Sequence, residues 1–465
     1  MSIWIKGARI GTSREEFIGD VLVEGERIVR VAPGGLSPEE APGAEVLDAT
    51  GLVLLPGGVD VHTHFDLDVG IARSSDTFYT GTVAAAWGGT TTVVDHMAFG
   101  PRGCDLLHQV NVYRRLAEDA VVDYGFHGVV QHVDNAILDQ METLLEQEGI
   151  SSLKVYMTYD YALKDEEFLA VLNRAKALGM TVCAHCENDG MLRYFRERCL
   201  SEGTLAPRYH AASRPPEAEA EAVFRFLQLA RLAEEARAYV VHLSSAQALD
   251  AFALARRTGQ RNIYAETCPQ YLFLEESLYR NGAEGLKYIM SPPLRKDGDR
   301  QALWQGIKDG QIDAVATDHC PFYFATQKQM GAGDFTRCPN GIPGVELRYP
   351  LLFSEGYLGG RLSLPELVGL CCTRPAELFG LLPRKGDIRE GADADLVLFD
   401  PAAEWTVTGD ALHEQVDYTP YEGMALRGRP VMTVSRGALL VRDGQFLGKK
   451  GRGKYLRRAP QEWDC

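Results

Sequence analysis

The run VDVHTHF at residues 59–65 is short, apolar and closed by ionisable groups, and it is the first of eight. The others are TTTVVDHM (90–97), YGFHGVVQH (124–132), SLKVYMTY (152–159), MTVCAHC (180–186), AYVVHLSS (238–245), NIYAETCPQYLF (262–273) and DAVATDHC (313–320). Runs this short and this rich in apolar residues read as buried parallel strands. Amphipathic stretches with helical period lie between them, among them CDLLHQVNVYRRLAEDA (104–120), DEEFLAVLNRAKALG (165–179) and EAEAEAVFRFLQLARLAEEA (217–236). Strands alternating with helices over residues 56–384 predict a (β/α)8 TIM-like barrel. That fold places its active site at the C-terminal ends of the strands. His62, His64, Asp95, His96, His132, Lys154, His185, His242, Asp318 and His319 all fall there. An open doubly wound sheet gives no reason for an ionisable group at nearly every strand end.

Outward from the barrel, residues 1–55 and 385–447 carry strand signals such as DVLVEGERIVRVA and GRPVMTVSRGALLVRDGQFL, with no helical period. Neither segment can enclose a core alone, so the two are expected to pair into one small β-sandwich domain built from both termini. Residues 448–465 include Lys449, Lys450, Arg452, Lys454, Arg457 and Arg458 and read as a solvated or subunit-docking basic tail.

The chain has 465 residues, 48 Lys+Arg against 64 Asp+Glu and a net charge of −16. That balance argues against nucleic acid and anionic membranes as partners, since both repel an excess of carboxylates. No apolar run is long enough to span a bilayer and the start lacks a leader pattern, so a cytoplasmic protein is expected. Its 10 cysteines are scattered, several inside apolar strands, as free thiols in a reducing compartment would be. Cys183 and Cys186 form a C-x-x-C, but no second pair completes a four-thiolate zinc site.

His62 and His64, two residues apart on one strand, project from the same face, and neutral imidazole is a ligand for zinc, manganese or iron. A lone H-x-H is commonplace, and a single histidine or aspartate ending an apolar strand is ordinarily a satisfied core or capping residue. Five donors, His62, His64, His185, His242 and Asp318, at four strand ends of one barrel are better explained by a metal centre. Lys154 sharpens the point, because a protonated amine in an apolar strand facing dications would be expelled. Either a carboxylate quenches its charge, or the amine is deprotonated and covalently altered. A carbamate formed with carbon dioxide is an anion with two oxygens, able to bridge two ions.

The order HTH, LKVYM, AHCEN, VHLSS, ATDHCPF, together with ETCPQYL, SPPLR and CPNGIPGVE, resembles the amidohydrolase superfamily, and within it the hydantoinase/dihydropyrimidinase family. The resemblance covers nearly the whole chain. It implies a metal-dependent hydrolase that opens cyclic amides and ureides, 5-substituted hydantoins or dihydropyrimidines, to N-carbamoyl amino acids. It implies two divalent ions per subunit, zinc or alternatively manganese or another divalent ion. His62, His64 and Asp318 would hold one, His185 and His242 the other, and Lys154 as N6-carboxylysine would bridge them. The nucleophile implied is a metal-bound hydroxide. Tyr159 would stabilise the oxyanion, Asp318 would act as general base and then acid, and Tyr159, Ser291 and Asn340 would contact substrate. A homotetramer is implied as well.

With that ligand set complete, Asp95, His96, His132, His319 and Glu266 are expected to be supporting or structural groups. Tyr156, Phe65 and Phe322 either line the pocket or belong to the core. Dihydroorotase activity is disfavoured, because its family pattern has an arginine soon after the H-x-H where this chain has Asp66. Allantoinase, which opens the same ring with the same metal set, stays open as an alternative. So does a non-catalytic dihydropyrimidinase-like interaction protein, although the full ligand set speaks against it.

Overall fold

Each of the eight apolar runs forms a strand, and hydrogen bonds join them in chain order. The computed structural model of the protein describes residues 2–460. Strands Gly58–Thr63, Thr90–His96, Asp123–Val129, Ser152–Tyr156, Thr181–His185, Ala238–Val240, Ile263–Thr267 and Ala314–Val315 make one parallel sheet. Its ladder stops short between the last strand and the first, and the segment after Val315 closes the gap. There the Asp318 N–H donates to the His62 carbonyl (2.8 Å) and the His64 N–H to the His319 carbonyl (2.9 Å). The closing seam therefore runs through three of the residues expected to hold metal.

Amphipathic helices cover the outside. In Asp165–Leu178 the buried residues are Phe168, Val171, Leu172 and Ala175, the i, i+3, i+4, i+7 stripe of a helix lying on a sheet. Side-chain caps start several helices. Asp134 accepts from the Ile137 N–H (2.9 Å) ahead of Asn135–Glu146, a contact of a kind that contributes about 1 kcal/mol. Because each helix returns the chain to the same end, all strand C-termini open on one face. Among the described residues no helix is long and apolar enough to cross a membrane.

The two ends of the chain pair as expected, into one nine-stranded mixed sheet. Its order is Gln445–Phe446, Ala438–Arg442, Ala425–Ser435, Leu396–Thr406, Val53–Pro56, Ser2–Gly11, Glu16–Glu24 and Arg27–Pro33, with Glu45–Asp48 also paired to Ser2–Gly11. The halves meet where residues 396–399 run antiparallel to Val53–Pro56. Ile3, Ile5, Leu54, Leu396, Leu398 and Val434 then share one core, which neither half could bury alone.

Of the basic tail, residues 461–465 lie outside the described residues, and residues 454–458 pack on this chain's own barrel while Lys449, Lys450, Lys454 and Arg457 stay exposed. Tyr455 bridges to Tyr124, the Leu456 N–H donates to the Tyr124 carbonyl (2.7 Å), and the Lys454 N–H donates to the Asp123 carboxylate (2.8 Å). The cause is electrostatic. Asp123 sits at the N-terminal rim of its strand, buried against Lys385 (2.6 Å) and Arg436 (3.0 Å). Burial alone would discharge Lys385, but Asp395, Asp123 and Asp393 outweigh it and keep the amine cationic. This buried ion cluster ties the barrel, the terminal sheet and the tail together.

Candidate metal centre

His62 and His64 leave the first strand side by side, as the two-residue spacing requires, and their Nε2 atoms stand 3.2 Å apart. Asp318 Oδ1 lies 3.1 Å from each of them. Three donor atoms thus form a nearly equilateral triangle. Ligands about 2.0–2.2 Å from a tetrahedral zinc ion stand about 3.3–3.6 Å apart, so the triangle has the size of one face of such a site. Asp318 reaches this place because its backbone turns into the left-handed region, with φ +54°, immediately after the last strand. Aspartate tolerates that conformation better than most residues.

The charges around the triangle fit the same use. Burial pushes the Asp318 carboxyl up, but the His62 and His64 imidazoles outweigh it and hold it well below the usual carboxylate range. Burial would also depress His62, yet the Glu266 and Asp318 carboxylates raise it to about 9. For His64 burial outweighs the pull of Asp318 and holds the imidazole down to about 4. Its Nδ1 is buried without a hydrogen-bond partner. Two buried imidazoles and a partly buried carboxylate converging at hydrogen-bond distances are a donor set that a divalent cation satisfies.

His185 and His242 complete the cluster. His185 Nδ1 and His242 Nε2 are 2.8 Å apart, and the His242 ring lies 5.5 Å from that of His62. His242, like Asp318, has a left-handed backbone, with φ +41°. Lys154 is buried on the strand between Val129 and Cys183, its Nζ 5.3 Å from the Tyr156 ring centroid. Among the described residues no carboxylate lies within ion-pair distance of it. Burial lowers its pKa, with Asp318 and Glu266 acting in the opposite direction from farther away.

Groups behind the ligands orient them. Glu266 contacts His62 Nδ1, accepts from the His242 N–H (3.2 Å) and accepts from the Tyr239 hydroxyl (2.9 Å). Glu187 accepts from His185 Nε2 (2.8 Å) and from Arg214 Nε (3.0 Å). Such partners fix the ring and tautomer of a ligating histidine. Asp95 accepts from the Thr63 hydroxyl (2.7 Å) and the Phe65 N–H (2.9 Å), and His319 bonds Asp76 (2.9 Å). His96 stacks on His127 at 4.1 Å and adjoins His62 at 4.3 Å. His132 stands apart, partly exposed beside Asp134. Glu187 and Arg214 were not singled out from sequence. Two-residue spacing from His185 could have drawn attention to Glu187, whereas Arg214 carries no local signal.

Of the expected substrate contacts, Tyr159 lies beside the histidine cluster. Tyr159, with φ +74°, sets its ring 5.2 Å from that of His185, and Arg214 approaches its hydroxyl at 3.4 Å. The Ser291 side chain is buried beside Tyr159, and Asn340 is exposed on the loop whose Gly341 N–H donates to the Ile289 carbonyl (3.0 Å). Phe65 and Phe322 are wholly buried and belong to the core. Tyr156 is partly exposed and packs between Phe99 (4.8 Å) and His185 (6.1 Å).

A model of the amidohydrolase family matches residues 53–440. The chain is 49% identical to a D-phenylhydantoinase of Escherichia coli over 461 residues, covering 99% of each. Its structure is similar to that of a dihydropyrimidinase from Brevibacillus agri, with TM-score 0.95, 43% identity and 100% of both chains covered. It is also similar to an L-hydantoinase (dihydropyrimidinase) from Arthrobacter aurescens, with TM-score 0.87, 27% identity, 97% of this chain and 99% of that one.

Proposed function

The chain belongs to the amidohydrolase family, and on that premise we propose that it opens 5-substituted hydantoins and dihydropyrimidines to N-carbamoyl amino acids. Hydrolytic opening of a cyclic amide is its reaction class. The observation that carries the reading is the donor triangle of His62, His64 and Asp318, with His185, His242 and an unpaired, buried Lys154 beside it.

In this reading His62, His64 and Asp318 hold one divalent ion, and His185 and His242 hold a second. The ions are zinc, with manganese as the alternative, and when bound they supply Lewis acidity and a water acidified toward neutral pH. Lys154 would join both ions as a carbamate: its ammonium loses a proton, the neutral amine adds to carbon dioxide, and a second proton leaves, so that the side chain becomes an anion. Asp318, ionised throughout the neutral range, accepts the proton of the attacking water and returns it to the departing ring nitrogen. The Tyr159 hydroxyl donates to the carbonyl oxygen as it gains negative charge. Backbone groups of Ser291 and Asn340 read the alternating N–H and C=O edge of the ring, which needs no charged side chain.

A turnover panel of 5-phenylhydantoin, dihydrouracil, allantoin and dihydroorotate tests the substrate choice. Fast opening of the first two is expected; opening of allantoin alone would overturn it. A metal-free, inactive protein would point instead to an interaction module. We further propose a homotetramer, supported by exposed apolar side chains such as Tyr194 and Leu232 on the helices Asp189–Glu202 and Pro216–Leu232. Light scattering at the mass of one 51.3 kDa chain would refute it.

A further inference from the structure

Lys328 begins the short turn Lys328–Gly331 and is fully buried, yet no carboxylate of the described residues lies within ion-pair distance of it. Burying an ammonium without a counter-charge is costly, and the buried Lys385 is surrounded by carboxylates. Lys328 has carbonyls only. Its Nζ donates to Ile289 O at 2.7 Å and to Pro339 O at 2.9 Å, with the Phe322 ring centroid at 5.8 Å. The two carbonyls belong to different loops. Ile289 stands two residues before Ser291, and Pro339 immediately before Asn340.

The first of these loops is pinned along its length. Tyr279 donates to Tyr288 O (3.1 Å), His210 Nε2 to Met290 O (2.7 Å) and Tyr271 to Pro292 O (2.7 Å). His210 does this as a neutral imidazole, burial holding its pKa down to about 3. The Gly341 N–H joins Lys328 on Ile289 O at 3.0 Å. Within 288–292 the Ser291 carbonyl alone receives no donor among the described residues. The neighbouring carbonyls are consumed inward, which leaves this one for whatever enters the mouth.

We propose that Lys328 is a positioning residue for substrate recognition: by bonding both loops at once, it sets the separation of the Ser291 and Asn340 backbones that read the ring edge. This rests on the assignment of Ser291 and Asn340 as ring contacts. Hydrogen bonds weaken steeply with misalignment, and a 1 Å displacement can cost about 10²-fold. Contacts made alike in the ground and transition states move KM rather than kcat when lost.

Lys328→Met keeps the aliphatic stem and removes the donor. In the metal-loaded enzyme, KM for hydantoin should rise about tenfold or more, with kcat held within about threefold and metal content unchanged. The rise should be smaller for succinimide, a cyclic imide with one ring N–H in place of two. A folded, metal-replete variant with the parental KM would overturn the proposal, and so would equal losses of kcat on both rings. Should the Met variant not fold, Lys328→Gln, whose amide reaches only one of the carbonyls, should show a smaller but measurable rise in KM; an unchanged KM there counts against the staple. Failure of the unmodified enzyme to open any cyclic ureide would sink the ring-contact assignment as well, and the parental control reports that separately.

Discussion

Lys154→Ala should yield a folded protein that no longer retains its metal complement and has lost at least about 10³-fold in kcat/KM, well beyond the ~10–100-fold that losing a partner behind a ligand costs. The residue lies buried on a barrel strand beside the strand that ends in His185, with no carboxylate in ion-pair contact among the described residues. A lysine in that position is tolerable as a neutral amine or as a carbamate, and only the carbamate offers oxygens to two cations. Alanine removes the bridge and leaves a cavity of side-chain size. Acetate or propionate entering that cavity supplies a carboxylate at the vacated place, so partial recovery of turnover is expected with millimolar short-chain acid. Elemental analysis and hydantoin turnover, with and without acid, measure both effects. A metal-replete and active Lys154→Ala protein would remove the bridge from the mechanism.

Asp318→Asn is expected to lower kcat by ~10²–10⁴-fold, the range that loss of a positioned acid–base group costs. The substitution is conservative in shape. Asparagine also tolerates the left-handed backbone at φ +54°, and the N–H that closes the barrel on His62 is untouched. What disappears is the negative charge that His62 and His64 stabilise and the oxygen that takes up a proton. An amide oxygen remains as a weaker ligand, so metal retention should fall less than in Lys154→Ala. Comparing metal content with kcat separates the two losses. A variant with depleted metal and full turnover per bound metal would mean that Asp318 serves as a ligand alone.

Much of this architecture is legible in the order of residues because its causes are local. An apolar run of strand length followed by one ionisable residue records both the buried strand and the end at which the barrel opens. Eight such runs give the barrel, and the donors at four of their ends give the proposed ligand set. The family resemblance then supplied roles for Tyr159, Ser291 and Asn340 that spacing could not. Aromatic residues at strand ends were undecidable, since Phe65 and Phe322 look the same from sequence whether they face a core or a cavity. The basic tail shows a related limit: its exposed cations Lys449, Lys450, Lys454 and Arg457 are legible from composition, but the anchor of the Lys454 backbone N–H, Asp123, lies more than three hundred residues away.

By itself, then, the chain determines which segments are strands, which way their functional ends point and which side chains are able to bind metal, because periodicity and residue chemistry act over a few neighbours. Tertiary structure alone decides who stands behind those side chains: Glu266 behind His62, Glu187 and Arg214 behind His185, and Lys328 between two loops. The reason is physical. Burial makes most polar groups find a partner, and that partner is chosen by proximity in the closed barrel rather than by distance along the chain.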